Sequence, residues 1–183
     1  MGKGTIIVNM GEGDAGKTQS IIMVYEKLCK VADKSEGKES SRDQAIHALS
    51  ELNEGSKKDQ VKLRDICEVV TINKVNVGIA SDGDTREAVK GHLEYFKSNG
   101  CSIMLIAGRA NNPMVKLLKD FADRNEYRLW RTSNARIYEE ATHPRVAPKG
   151  MLKRFYEQWA EEIANLIESW CYAEKAEKEE NNK

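Results

Sequence analysis

Eight residues near the start of the chain, Gly11-Glu12-Gly13-Asp14-Ala15-Gly16-Lys17-Thr18, constrain its fold more than any others. They follow a β-branched run at 5–10 (TIIVNM), which reads as a buried strand. They precede residues 17–31, where Ile21, Ile22, Tyr25 and Leu28 recur at helical spacing. A strand, a glycine turn and a helix in direct succession open a βαβ unit, which calls for an α/β architecture.

The rest of the chain continues that alternation. Residues 33–64 are polar and lack strand-like runs; an amphipathic helix through Ala45, Ile46, Leu49 and Leu52 makes them a helical excursion. Two strand-like runs, 66–72 and 75–80, flank Asn73-Lys74 and predict a hairpin. A helix is expected over 85–99, with Val89, Leu93 and Phe96 on one face and Gly100 closing it. The continuous apolar run at 101–107 has the signature of a strand covered on both faces. Pro113 opens a further helix, and 127–130 reads as a short last strand. Over 151–170, Leu152, Phe155, Trp159, Ile163, Leu166 and Trp170 form an apolar stripe on a long helix. The charged residues 173–183 carry no such period and read as a disordered tail. The expectation is a three-layer sandwich over 1–172: a mainly parallel sheet with helices on both faces and one antiparallel ribbon.

Composition narrows the function. Lysine plus arginine equals aspartate plus glutamate at 29 each, so no global charge argues for nucleic acid or a membrane surface. The cysteines (Cys29, Cys67, Cys101, Cys171) are widely spaced, as reduced core thiols in a cytoplasmic protein would be. No apolar stretch reaches membrane-spanning length. His47, His92 and His143 stand apart from one another, which leaves no metal site beyond magnesium. Trp130, Trp159 and Trp170 read as core anchors.

The stretch from Gly11 to Thr18 satisfies G-x-x-x-x-G-K-[ST] in full. Glycines let the backbone curl so that successive N–H groups face phosphate oxygens, and the following helix adds its positive end. At these residues the chain resembles the P-loop nucleoside triphosphatase superfamily, and the resemblance extends loosely over the α/β order of residues 5–170. It implies nucleotide contacts from Gly11, Glu12, Gly13, Asp14, Ala15, Gly16, Lys17, Thr18 and Gln19. Lys17 would reach the β- and γ-phosphates and Thr18 would bind magnesium. Glu12 and Asp14 are expected to point out of the loop.

Members of that superfamily place an acid at the end of a neighbouring strand to hold the metal. Asp82 and Asp84 qualify by position, although Asp84, three residues before Glu87, also fits a capping box, and Asp82 also fits a turn before Gly83. Arg109, after the 101–107 strand, can fork onto a phosphate or form a surface ion pair. The segment 131–150 belongs to a basic stretch with Arg128, Arg131, Arg136, Arg145, Lys149, Lys153 and Arg154 against Glu139 and Glu140. It resembles in charge a lid that closes over phosphates, and it equally fits a solvated loop.

Two functions compete on these residues. One is magnesium-dependent binding of a nucleoside triphosphate with phosphoryl transfer or hydrolysis, catalysed by Lys17, Asp82 or Asp84, and Arg109. ATP is favoured over GTP, since no N-K-x-D guanine-reading motif is present. The other is a nucleotide-dependent switch or accessory subunit, meeting a protein partner or a second copy through the last helix.

Overall fold

The structure, a computed structural model, describes residues 4–11, 16–35, 65–133 and 149–180. Residues 12–15, most of the helical excursion and most of the basic 131–150 segment therefore lie outside the described residues.

The strands are β1 (Gly4–Met10), β2 (Lys34–Ser35), β3 (Cys67–Ile72), β4 (Val75–Ala80), β5 (Ile103–Gly108) and β6 (Tyr127–Thr132). They form one six-stranded sheet in the order β2-β3-β4-β5-β1-β6. β1 runs parallel to both β5 and β6, and β4 parallel to β5. β3 is antiparallel to β4 and to β2. The helices are α1 (Lys17–Val31), α2 (Arg86–Ser98), α3 (Asn112–Asn125) and α4 (Lys149–Glu180).

Alternation along β1 sets the layers, because successive strand side chains point to opposite faces. Ile7 packs with α1 and α4 in a core that includes Ile21, Leu28, Leu105 and Ile167. Ile6 and Val8 pack with α2 and α3 around Leu93, Phe96, Met104 and Leu118. β5 is buried along its whole length, as a strand covered on both faces must be. The chain is thus α/β, with helices on both faces of a mostly parallel sheet.

Local chemistry explains the boundaries. Thr85 caps α2 by accepting from the Ala88 N–H at 3.1 Å, and Asn111 caps α3 by accepting from the Met114 N–H at 2.9 Å. The expected capping box at Asp84 is therefore corrected: the cap falls one residue later. Asn73 and Lys74 have φ of 51° and 66°, the positive pair that a type I′ hairpin requires. Lys74 is a poor residue for that geometry, and the Asp33 carboxylate, accepting from its N–H at 3.0 Å, helps hold it there.

Four expectations change. Lys34–Ser35, placed in a segment without strands, pairs with Val70 and Thr71 at the sheet edge. The tail expected to be disordered continues α4 to Glu180; its Ala, Glu and Lys residues are strong helix formers, and Glu174 accepts from the Ser102 hydroxyl at 2.7 Å. The apolar stripe of α4 is displaced: Tyr156, Ala160, Ile163, Ala164, Ile167 and Cys171 enter the core, while Trp159 and Trp170 flank it. Small Ala160 and Ala164 are buried in the cluster that α4 shares with α1, and alanines carry little weight in a reading for bulky apolar residues. Trp130 is 51% exposed on edge strand β6, edge-on to Trp170, and so is not a core anchor. The four cysteines are free thiols, and among the described residues no helix is long and apolar enough to cross a membrane.

Replacing Lys74 by glycine removes the left-handed strain and should stabilise the fold by about 0.5–1 kcal/mol, whereas Lys74→Val should cost about 1–2 kcal/mol. Urea unfolding of the two variants checks this; equal midpoints would refute the strain at the turn.

Candidate functional site

β1 ends at Met10 in the interior of the sheet, between the parallel strands β5 and β6, so the chain must turn upward there. The Gly11 N–H donates to the Gly108 carbonyl at 3.1 Å, carrying the β1–β5 pairing one residue past the strand. Gly16 re-enters as the N-cap of α1 with φ of 70°, a left-handed conformation that favours glycine. A side chain there is excluded twice, since an added Cβ would lie 2.4 Å from the Tyr156 ring.

Lys17, the first residue of α1, is 7% exposed and donates to the Gly11 carbonyl at 3.1 Å. The ammonium thus bridges the two ends of the glycine turn. Ser20 donates its hydroxyl to the Gly16 carbonyl at 2.8 Å and tightens the same first turn. There are no acidic residues in the first turn of α1.

Asp82 and Asp84 follow β4, Arg109 follows β5 and Gly11 follows β1, so all sit at the carboxyl ends of parallel strands, where α/β sheets bind ligands. β4 is not the immediate neighbour of β1, because β5 lies between them. Gly83 passes so close to the end of β5 that an added Cβ would sit 2.1 Å from the Ala107 carbonyl oxygen. Asp84 is taken up by Arg109, whose Nε donates to its carboxylate at 3.1 Å; both side chains are substantially exposed. Of the two roles open to Arg109, this ion pair is the one present. No described contact joins Asp82 or Asp84 to Thr18.

The acid that does meet Thr18 is Asp65. The Thr18 hydroxyl donates to Asp65 Oδ1 at 3.2 Å, and the Ser81 hydroxyl donates to the same oxygen at 2.9 Å. Ser81 is 2% exposed and accepts from the Ile66 N–H at 2.9 Å, so its hydroxyl is oriented by the backbone. Asp65 precedes a strand, whereas the pattern expected of a metal-holding acid puts it after one. The signal was nonetheless present in the hairpin. With Cys67 opposite Ala80, Asp65 stands level with Asp82, and an antiparallel strand begins where its parallel neighbours end.

Burial shapes the electrostatics around this end of the sheet. It pushes the Cys67 thiol up to about 11, with Glu68 and Asp82 adding to the shift, which favours the protonated thiol at neutral pH. It lowers the His92 pKa, against the opposing pull of Asp82 and Asp65, and among the described residues Nε2 of that ring has no hydrogen-bond partner. Among the described residues, no group of three or more histidine, cysteine, aspartate or glutamate side chains is placed to hold a metal ion.

Glu68, 8% exposed on β3, has its pKa raised by burial. A raised folded pKa means that its contribution is fully present below the unfolded value and is lost as pH rises through the folded value. Glu68→Gln should therefore be more stable than wild type around pH 7, with the difference vanishing below about pH 4. Thermal melts at both values test the sign, and a variant less stable at neutral pH would reverse it. Comparison with protein-family models, curated proteins and solved structures finds no match for this chain.

Proposed function

We propose that the chain binds a nucleoside triphosphate with magnesium, ATP in preference to GTP, and transfers or hydrolyses its terminal phosphoryl group. The observation that carries this reading is the position of Lys17. A cation at the first residue of a helix opposes the positive end of the helix dipole, and burying an ammonium costs several kcal/mol more. An anion seated between the ammonium and the helix end turns both penalties into attractions. Phosphate is the anion that a glycine turn of this kind accommodates, through converging backbone N–H groups.

The donor set beside Lys17 fits magnesium. Thr18 offers a hydroxyl oxygen and Asp65 a carboxylate, hard ligands of the type this ion takes, with substrate phosphates completing its shell. When bound, the ion would neutralise charge on the phosphates. Lys17 would hold the β- and γ-phosphates, and Arg109, once released from Asp84, would be free to meet charge that develops during transfer.

A second reading, a nucleotide-dependent switch, draws on α4. Tyr156 of that helix packs on Gly16, Lys27 of α1 pairs with Glu161, and Trp159 donates to Thr132 at 3.0 Å. A helix fastened at these points to the loop, to α1 and to β6 would feel any rearrangement of the loop.

Lys17→Met should weaken ATP binding by about 2–4 kcal/mol, or roughly 30- to 1000-fold, while the free protein becomes no less stable than wild type, since the buried charge at the helix end is removed. Calorimetric titration decides; unchanged ATP and GTP affinity in the variant would sink the proposal. Free phosphate counted with and without candidate acceptors separates enzyme from switch, since a pure switch shows negligible turnover.

A further inference from the structure

We propose that Asp65, held in place by Ser81, is the carboxylate serving the magnesium side of the phosphate site, in the role expected of Asp82 or Asp84. The inference rests on the nucleotide reading above and goes beyond it by assigning the acid. Three observations support it.

The first is the direction of the Thr18 hydrogen bond. With its hydrogen given to Asp65 Oδ1, the Thr18 oxygen presents its lone pairs elsewhere, as a ligand to a cation must. Asp65 thereby orients the hydroxyl as well as adding negative charge beside it.

The second is how Asp65 is fixed. Ser81 is buried, its own N–H donates to the Ile66 carbonyl at 2.9 Å, and its hydroxyl accepts from the Ile66 N–H at 2.9 Å. The hydroxyl's one hydrogen goes to Oδ1 and a lone pair is taken by the backbone, so it holds Oδ1 in place while the described contacts leave Oδ2 open. An exposed acid braced by a buried hydroxyl has a defined position at little cost in stability.

The third is the engagement of the alternatives. Asp84 is paired with Arg109, and Asp82 has no described contact with Thr18. One carboxylate with a hydroxyl and substrate oxygens matches the way magnesium binds, which needs no cluster of acids.

The test uses Mn2+ as the probe, read by its paramagnetic resonance with a non-hydrolysable ATP analogue bound to the full chain. Asp65→Asn keeps an oxygen acceptor for Thr18 and Ser81 but loses the charge, and should weaken Mn2+ binding at least about tenfold. Its affinity for the analogue in EDTA should stay within about twofold of wild type, which also shows that the variant is folded. Ser81→Ala should give a smaller loss of the same kind, a coupling to the metal that a purely structural serine would not produce. Wild-type Mn2+ affinity in Asp65→Asn, or the main loss appearing in Asp82→Asn instead, overturns the assignment while the nucleotide reading stands. A wild-type chain that binds no analogue, with or without metal, overturns both.

Discussion

The burial of β1 between two parallel neighbours is the constraint from which the other features follow. From Thr5 to Met10 every residue is buried, with β5 on one side and β6 on the other, so the chain leaves the strand from the middle of the sheet. It must then climb over the edge of the core within a few residues and start a helix that covers one face. Gly11 and Gly16 make that turn possible, the first continuing the pairing to Gly108 and the second adopting a left-handed φ under the Tyr156 ring. The resulting helix end, with a buried lysine as its first residue, is where fold and chemistry coincide.

The antiparallel hairpin does for the acid what β1 does for the loop. In a purely parallel sheet, only residues after strands reach the ligand-binding end. Reversal of β3 at Asn73-Lys74 brings a residue from before a strand, Asp65, to the same end as Asp82. Helix α1, crossing the sheet from β1, carries Thr18 within reach of it. Ser81, lying between the two strands' ends, joins hairpin and acid through one hydroxyl.

Much of this was legible in the residues, and the exceptions have physical causes. Runs such as 5–10 and 101–107 announce themselves because buried parallel strands are continuously apolar, and the two hairpin strands because only a two-residue turn separates them. The phosphate chemistry proposed for the loop rests on glycines and a lysine at fixed spacing, of which Gly11, Gly16 and Lys17 are among the described residues and 12–15 are not. What pattern reading misplaced depends on partners distant in sequence. Which face of α4 is buried follows from the cluster it shares with α1, where small Ala160 and Ala164 take part, and the exposure of Trp130 from the position of β6 at the sheet edge. The pairing of Asp84 with Arg109 and of Asp65 with Thr18 spans 25 and 47 residues, beyond any local signal.

Thermal melting of the wild-type chain against a series of ligands tests most directly whether the loop grips phosphate. A ligand that binds only the folded state raises the melting temperature as its concentration exceeds its dissociation constant. Magnesium with ATP should stabilise the protein strongly, ADP less, and adenosine, which has no phosphate for Lys17 and the glycine turn, not at all. Equal stabilisation by adenosine and ATP, or none by any triphosphate, would contradict a site built around Lys17.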